Sequence, residues 1–357
     1  MQETLNRGCR TSFTRAAESS NANLRRAEPN REVPCRPGND TTAMRNHQYD
    51  MSTGGITKSE EFAKKKLAAF AVNVGLRCGH DCTYCSARAS LRCHEAFPEL
   101  GERPFGVGYS IIDPNIVEKV ARDAARTRKR GLVQICTTVD AWAPEAQALD
   151  LGRRCLEAVL EQPGWTVRVL TKNAAVAEDF ELIRKYKDRV LIGLSLTGTR
   201  DKQDALSVIE PHASSISERM AALRKAHKMG LRTFGMLCPL LPAIADAPEQ
   251  VDELVQFVKA CGAEEVFCEP ANARGNSLTL TEAKLQAAGF AHEAEAISRI
   301  RNEKVWSGYT VRLVQHVQAS MLRHMTTDRL RFLLYPENLT EADESRIRTA
   351  DAGVVWL

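Results

Sequence analysis

The sequence has no run of about 20 apolar residues, which is the length that a helix needs to cross a bilayer. Its first residues also lack the charged, apolar and small-residue order of a secretory signal peptide. A strong excess of one charge is missing too, because the formal net charge is only +4. These absences argue against a membrane protein, and the small net charge neither requires nor excludes a nucleic-acid partner.

Cysteine, in contrast, is abundant. The chain has 357 residues and 11 cysteines, an odd number in a long chain, which argues against a small secreted scaffold held by disulfides. We therefore expect a protein of the reducing cytoplasm. With 43% hydrophobic residues, the chain can bury the core of one large α/β domain or of two small ones.

Residues 1–60 are poor in aliphatic side chains and rich in Arg, Asn, Ser, Thr and Glu. Prolines and glycines interrupt any periodicity in this segment, so we predict a disordered N-terminal tail. Its arginines suit contact with a polyanion, but the interspersed glutamates favour a plain solvated tail.

From residue 61 onward, short β-prone apolar runs alternate with amphipathic helical patterns, which predicts parallel, buried strands. The predicted strands are 69–76, 132–138, 166–171, 190–197, 232–239 and 265–269. The predicted helices are 114–128, 145–160, 176–187, 215–229 and 248–261. Gly230 and Gly262 each follow a helical pattern and predict its end. Six such units predict an α/β fold, a partial (β/α)6 TIM-type barrel over residues 61–275.

The pattern becomes mainly helical after Gly275. Helical periodicity over 281–302 and 311–325 is followed by short apolar runs at 332–335 and 354–357. We predict that residues 276–357 form a C-terminal extension that packs on the barrel.

Three cysteines with the spacing C-x3-C-x2-C directly follow the first predicted strand: Cys78, Cys82 and Cys85. Cysteine thiolates suit iron–sulfur clusters, and a cubane held by three of them keeps one iron open to another ligand. The segment lies where (β/α) barrels place their active sites, at the carboxyl end of a strand. The alternative is a zinc site in which His80 or His94 is the fourth ligand.

This spacing, with Tyr84 just before the last cysteine, resembles the radical S-adenosylmethionine (SAM) superfamily. Further segments between about residues 70 and 275 resemble its spore photoproduct lyase-like branch, often labelled DNA repair photolyase. Those segments are 136–145, 169–173, 193–197, 209–211, 217–219 and 238–242.

The resemblance implies two cofactors, a [4Fe–4S] cluster on the three cysteines and SAM on the open iron. It also implies that the cluster reductively cleaves SAM to a 5′-deoxyadenosyl radical, which abstracts hydrogen from the substrate. Tyr84 is expected beside SAM and Thr138 near its amino group, while Lys172 and Ser195 are expected at its carboxylate or ribose. Ordinary loop polarity is the alternative for Lys172 and Ser195.

Cys136 precedes Thr138 by two residues. In spore photoproduct lyases a cysteine at this position returns a hydrogen atom to the product radical, so the resemblance implies a catalytic role for Cys136. The alternative is a buried core thiol, because free cysteine is a common small hydrophobe. The segment that begins at Asp140 is closer to the broader branch than to the true lyases, and Asp140 is expected at the rim of the site.

Glu269, Asn272 and Arg274 follow the sixth predicted strand and are also expected at the rim, near substrate or SAM. As an arginine, Arg274 can form a bidentate contact with a phosphate or a carboxylate. Alternatively, an Arg–Glu pair closes the barrel against the C-terminal extension.

The sequence thus predicts a cytoplasmic radical SAM enzyme that acts on a DNA lesion, with DNA and an electron donor such as flavodoxin or ferredoxin as partners. Radical modification of RNA, a peptide or a small metabolite is the alternative within enzymes. A non-catalytic module that binds an iron–sulfur cluster or zinc is the alternative from another class.

Overall fold

The computed structural model describes residues 44–357. The strands are β1 (Arg45–Gln48), β2 (Thr57–Lys58), β3 (Phe70–Val72), β4 (Gly75–Arg77), β5 (Tyr109–Ile112), β6 (Leu132–Ile135), β7 (Thr166–Thr171), β8 (Val190–Leu194), β9 (Arg232–Thr233), β10 (Gly235–Leu240), β11 (Val266–Pro270), β12 (Leu330–Leu334) and β13 (Val354–Trp356).

The helices alternate with these strands through most of the chain. They are α1 (Glu60–Lys64), α2 (Ala87–Ser90), α3 (Ala96–Glu99), α4 (Ile116–Arg126), α5 (Pro144–Gln147), α6 (Leu151–Leu160), α7 (Phe180–Arg184), α8 (Gln203–Ile209), α9 (Ile216–Lys228), α10 (Pro248–Ala260), α11 (Ser277–Ala287), α12 (Ala291–Arg299), α13 (Glu303–His324) and α14 (Glu341–Arg348).

The predicted barrel strands are present and parallel. β3, β6, β7, β8 and β9 are hydrogen-bonded in that order, and β10 pairs with β11. A parallel bridge between Ser195 and Met236 joins the two parts of the sheet. The carboxyl ends of these strands therefore meet at one mouth, where a (β/α) barrel builds its active site.

Helix α9 illustrates how the sequence sets the elements around the sheet. Ser215 accepts a hydrogen bond from the backbone N–H of Glu218 at 3.2 Å, and the Glu218 carboxylate accepts one from the Ser215 N–H at 2.7 Å. This capping box satisfies donors that the first turn leaves free. Gly230, at φ 72°, ends the turn after this helix, and Gly262 does the same after α10 at φ 75°, as predicted.

Apolar side chains fill the barrel interior. Leu191, Phe234 and Phe267 pack there with Leu67, Met236, Leu333 and Val355. Gly193 is required in this layer because a Cβ on it would overlap the Phe234 ring. The interior is therefore a packed core below the mouth, and not a channel.

The first predicted strand, 69–76, is two strands. β3 pairs with β6, whereas β4 pairs antiparallel with β5 in a separate sheet with β1. Between them, the Asn73 side-chain oxygen accepts hydrogen bonds from the backbone N–H groups of Thr137 and Thr138, at 3.1 and 2.8 Å. The hydrogen-bond ladder between β3 and β6 ends here because these two N–H groups donate to the Asn73 side chain and not to a backbone carbonyl. The cysteine loop therefore follows β4, outside the barrel sheet.

The prediction of a disordered tail was wrong for its last part, residues 44–60. β1 pairs parallel with β5, and β2 pairs antiparallel with β3. These strands are short and polar, and their partners lie far along the chain, so no local periodicity marks them. The rest of the predicted tail, residues 1–43, lies outside the described residues.

The C-terminal part contributes to the sheet as well as packing on it. β12 pairs parallel with β11, and β13 pairs parallel with β12. The predicted boundary at Gly275 therefore does not separate the sheet from the extension. Helices α11, α12 and α13 lie between β11 and β12 in the chain, because a parallel neighbour requires a long connection. No helix within residues 44–357 is both long enough and apolar enough to cross a membrane.

Some predicted helices are interrupted. The pattern over 145–160 breaks at Asp150, whose φ is 56°, and the pattern over 281–302 breaks at Gly289, whose φ is 87°. The pattern over 176–187 becomes a 3-10 helix, Ala174–Glu178, followed by α7. Hydrophobic periodicity persists through such breaks, so it does not locate them.

Candidate active site

The three predicted ligand cysteines line one cavity of about 160 Å³. Cys82 is buried, and Cys78 and Cys85 are partly exposed. The facing wall consists of residues that follow β6, β7 and β8, so the cavity lies at the carboxyl ends of these strands. Cys136, Thr138, Asp140, Lys172 and Ser195 belong to this wall.

The start of the cysteine loop is fixed by two acidic side chains. The Gly79 N–H donates to the Glu145 carboxylate at 2.7 Å, and a Cβ on Gly79 would overlap that carboxylate. His80 is buried and contacts the Asp140 carboxylate through Nε2 at 2.8 Å and the His212 carbonyl through Nδ1 at 3.0 Å. Both ring nitrogens are thus engaged in hydrogen-bonding contacts within the protein. Neither nitrogen is free to bind zinc.

The end of the loop is fixed by the helices after the barrel strands. The Thr83 N–H donates to the Ile209 carbonyl at 2.9 Å. The hydroxyls of Thr83 and Thr281 are 2.8 Å apart, and Ser277 donates to the Cys85 carbonyl at 3.0 Å. These buried contacts anchor the loop to α8 and α11, and so position its thiols before any cofactor binds.

Tyr84 belongs to a buried network beneath the cavity. Its hydroxyl donates to Glu210, which also accepts hydrogen bonds from Arg219 and, at 2.8 Å, from Thr197. Arg219 donates in turn to the Ser195 carbonyl at 2.9 Å. Burial opposes the charge of Glu210, but Arg219 and then Lys172 outweigh it and lower the Glu210 pKa to about 2. The network joins the cysteine loop to the end of β8.

A second buried network surrounds Asp81, between two of the cysteines. Its carboxylate accepts hydrogen bonds from Arg77, from Arg88 at 3.0 Å and from the Gly108 N–H at 2.8 Å. Arg88 also donates to the Cys82 carbonyl at 3.1 Å. Both arginines line the cavity. The backbone of Asp81 has a φ of 49°, a left-handed turn that brings its side chain under the loop.

Asp140 joins three segments of the mouth. One carboxylate oxygen accepts from His80, from the Thr171 hydroxyl at 2.9 Å and from the Lys172 N–H at 2.8 Å. The other accepts from the Trp142 N–H at 2.9 Å. Burial opposes the charge of Asp140, but His80 and these hydrogen bonds lower its pKa. Asp140 was predicted at the rim, and here it fixes the walls of the cavity.

Cys136 lies in the cavity wall with a left-handed backbone, φ 71°. Its sulfur accepts from the Ala141 N–H at 2.9 Å and donates to Asp140 at 3.7 Å. Burial raises the pKa of this thiol, and the Asp140 charge raises it further. Cys136 is therefore a protonated thiol at the edge of the cavity.

Three polar side chains that line the cavity have no hydrogen-bond partner within the described residues. The ammonium of Lys172 and the hydroxyls of Thr138 and Ser195 make no hydrogen bond or ion pair within the described residues. Lys172 lies 5.7 Å from the centre of the Tyr84 ring. Such groups, held beside a cavity, are suited to a polar ligand.

The thiols of Cys78 and Cys82 are protonated in the absence of metal. Burial raises the pKa of Cys78 and raises that of Cys82 to about 12, with smaller contributions from Cys85 and Glu210, respectively. Metal binding must displace these protons.

The donor set fits an iron–sulfur cluster better than a single ion. Three thiols face one cavity, and a cubane offers each of them a different iron atom. Across residues 44–357, no three His, Cys, Asp or Glu side chains converge closely enough to hold a single metal ion. His94, the other proposed zinc ligand, accepts from the Ala96 N–H through Nδ1 at 3.2 Å.

The profile of the radical SAM superfamily matches residues 72–258, more than half of the chain. The chain belongs to the radical SAM superfamily. The matched region extends from β3 to α10 and includes the cysteine loop and the three strand ends that line the cavity.

Two curated relatives are similar to this chain in sequence. The protein ORF301 of Acidianus two-tailed virus is 28% identical over 228 residues, which are 62% of this chain and 73% of that protein. The protein MJ0683 of Methanocaldococcus jannaschii is 21% identical over 192 residues, which are 53% of this chain and 67% of that protein. A solved structure of spore photoproduct lyase with dinucleoside spore photoproduct is 16% identical, with a TM-score of 0.48, and the match covers 68% of this chain and 66% of that one.

Membership in the radical SAM superfamily identifies the cofactors as a [4Fe–4S] cluster and SAM. Cys78, Cys82 and Cys85 are the residues that would hold the cluster, and the unpartnered groups of the facing wall are those available to SAM. The chain is an enzyme of the radical SAM type.

Four predicted site residues do not line the cavity. Tyr84 is directed to Glu210, as described above. Asn272 accepts from the Arg274 N–H at 2.9 Å. Arg274 lies 3.3 Å from Glu337 and 4.7 Å from the centre of the Tyr335 ring, so it pairs with the C-terminal part, the alternative given for it. Glu269 lies near Lys65 and Arg274, and burial raises its pKa.

Sequence reasoning missed the roles of several polar residues around the site. Glu210 and Arg219 were noted only as part of a resemblance, and Asn73, Asp81 and Arg88 were given no role. A signal existed for Glu210 and Arg219, since each lies in a segment that resembles the family. No signal in the sequence pairs them with each other or with Tyr84.

Proposed function

We propose that the chain is a spore photoproduct lyase-like radical SAM enzyme that cleaves SAM at this cavity and abstracts hydrogen from a thymine-dimer lesion in DNA. One observation carries the proposal: the three cluster cysteines, the unpartnered polar groups and the Cys136 thiol all line the same cavity. When bound, the reduced cluster and SAM supply a 5′-deoxyadenosyl radical.

The wall opposite the cysteines is suited to binding SAM. The Lys172 ammonium is placed to pair with a carboxylate, and the Thr138 and Ser195 hydroxyls are placed to contact an amino group or a ribose. Asp140 fixes the Lys172 backbone, and Asn73 fixes that of Thr138. Side chains held in this way orient a ligand at a low entropic cost.

Apolar side chains make up the rest of the lining and are suited to excluding water. Leu76 and Leu170 lie on strands, while Leu91, Phe97 and Pro104 come from the segment that follows the cysteine loop. A radical that abstracts hydrogen must be kept from side reactions, so a dry wall supports this chemistry.

Cys136 is the candidate hydrogen donor. Hydrogen-atom return requires a thiol and not a thiolate, and the burial of Cys136 keeps it protonated. Its position in the cavity wall supports the donor role over that of a core thiol, although its hydrogen is directed to Asp140 in the described geometry.

Anaerobic reconstitution tests the cofactor chemistry. The full chain is loaded with iron and sulfide, reduced with dithionite and given SAM, and 5′-deoxyadenosine is measured. We expect turnover that the Cys82→Ala variant lacks. A wild-type chain that holds four irons but forms no more 5′-deoxyadenosine than this variant would contradict the proposal.

The substrate is tested separately. DNA that carries ultraviolet-induced thymine lesions is added to the active enzyme, and restored thymine is measured against undamaged DNA. The expected result is thymine restoration that requires SAM. SAM cleavage without restoration would reject DNA repair and favour RNA, a peptide or a metabolite as the substrate. Flavodoxin or ferredoxin as the electron donor and a cytoplasmic location belong to the same proposal.

A further inference from the structure

The Asp81 network places more positive than negative charge beside the cluster site. Asp81 supplies one carboxylate, and Arg77 and Arg88 supply two guanidinium groups, all buried. One positive charge therefore remains uncompensated within this group. Buried charges are screened weakly by water, so such an excess acts strongly on its neighbours.

Of the two arginines, Arg88 is the one that donates to a backbone carbonyl of the ligand loop. It donates to the Cys82 carbonyl at 3.1 Å and to the Gly106 carbonyl at 3.1 Å, and it lines the cavity together with Cys82 and Cys85. Only 5% of its surface is exposed. Its charge is thus held at a fixed place beside the thiols, and not on a mobile side chain.

The other charged groups of the loop lie outside the Asp81 network. Glu210 is paired with Arg219, and Asp140 contacts His80. Glu145 accepts from the Gly79 N–H at 2.7 Å, at the start of the loop.

We propose that Arg88 tunes the cluster, raising its reduction potential by stabilising the extra negative charge that reduction adds. The potential of an iron–sulfur cluster depends on the charge and hydrogen bonding around it. An electron makes the cluster more negative, so a fixed cation stabilises the reduced state more than the oxidised one. Arg88 is therefore a positioning and tuning residue that acts through the cofactor.

The test is a redox titration of the reconstituted full chain without SAM, followed by electron paramagnetic resonance of the reduced cluster. Arg88→Gln should shift the midpoint potential downward, because it removes the charge. Arg88→Lys keeps the charge and should restore most of the wild-type value. Arg92→Gln is the matched control, since Arg92 lies four residues further on but is exposed, and it should leave the midpoint unchanged.

Asp81→Asn is an independent test in which the midpoint potential should shift in the opposite direction. It removes the negative charge that pairs with Arg77 and Arg88, so the midpoint potential should shift upward. This variant still tests the effect of charge on the cluster if Arg88→Gln fails to hold a cluster. The proposal is overturned if fully loaded Arg88→Gln has the wild-type midpoint, or if both variants shift it downward. The role of Arg88 rests on the cluster of the proposed function. A wild-type chain that loads no iron would contradict that function. Loaded variants with unshifted midpoint potentials would contradict only the role of Arg88.

Discussion

The His80 imidazole and the Asp140 carboxylate form a buried hydrogen bond, with Nε2 and Oδ2 2.8 Å apart. His80 lies between the first two cluster cysteines, and Asp140 lies in the loop after β6. Because Asp140 also binds the Lys172 backbone, the pair connects the predicted cluster site with the predicted SAM site. A single contact thereby fixes the distance between two cofactor-binding walls.

We expect Asp140→Asn to lower the free energy of unfolding by about 3 kcal/mol, since it replaces a buried carboxylate that accepts hydrogen bonds from the Thr171 hydroxyl and the Lys172 N–H and contacts His80. Urea unfolding of the metal-free chain at pH 7 measures this loss. Asp328→Asn, at an exposed position, is the control and should change little. A variant at Asp140 as stable as this control would show that the carboxylate contributes nothing to stability.

The Glu210–Arg219 pair predicts a loss of stability in acid. The pKa of Glu210 falls from 4.5 to about 2 on folding, so its contribution is complete above pH 4.5 and is lost as the pH falls towards 2. The shift corresponds to a contribution on the order of 3 kcal/mol. Urea unfolding between pH 7 and pH 3 should show this decline, and Glu210→Gln should be less stable at pH 7 but flatter with pH. Parallel curves for the two proteins would contradict the assignment.

Cys136→Ala should separate SAM cleavage from product formation. The thiol is not a cluster ligand in our assignment, so 5′-deoxyadenosine should still form, while thymine restoration should fall or give altered products. Chromatography of both products measures the two effects. Cys155→Ala, in the buried face of α6 away from the cavity, is the control. Normal restoration by Cys136→Ala would eliminate the donor role.

Lys172→Met should weaken SAM binding by tenfold or more. A hydrogen bond to a charged group contributes about 1.5–3 kcal/mol, and each 1.4 kcal/mol is a factor of ten in Kd. Equilibrium dialysis of SAM against the oxidised, cluster-loaded chain gives this value. Lys187→Met removes an exposed lysine and should leave the affinity unchanged. Equal affinities for the two variants would leave Lys172 without a role in SAM binding.

Arg274→Ala should have a small effect, because its partner Glu337 and Arg274 itself are both well exposed. Such pairs contribute about 0–1 kcal/mol. We expect Arg274→Ala and Glu337→Ala to resemble each other in thermal stability and to leave 5′-deoxyadenosine formation intact. If Arg274→Ala alone raises the substrate KM, then the arginine binds substrate, as first expected.

Much of the fold could be predicted because parallel strands and their helices leave local patterns. The six barrel strands are recognisable as buried apolar runs. The ends of α9 and α10 are recognisable by the glycines that follow them. The split at Asn73 was not predictable in the same way, since it depends on an amide that caps a loop more than 60 residues away. β1 and β2 were not predictable for a similar reason, because their pairing partners supply most of their stability.

The sequence by itself determined the family, through the C-x3-C-x2-C motif and the strands around it, and it predicted the cluster ligands, since this spacing brings three thiols together within one loop. Only the tertiary structure decided how the loop is held. Glu145, Asp140 and Glu210 come from separate segments, and they meet their partners at the loop only when the barrel closes around it. Local spacing encodes ligands that are neighbours in the chain, whereas the buried contacts that fix the loop, such as those of His80 with Asp140 and of Tyr84 with Glu210, span long sequence distances, which no local pattern records.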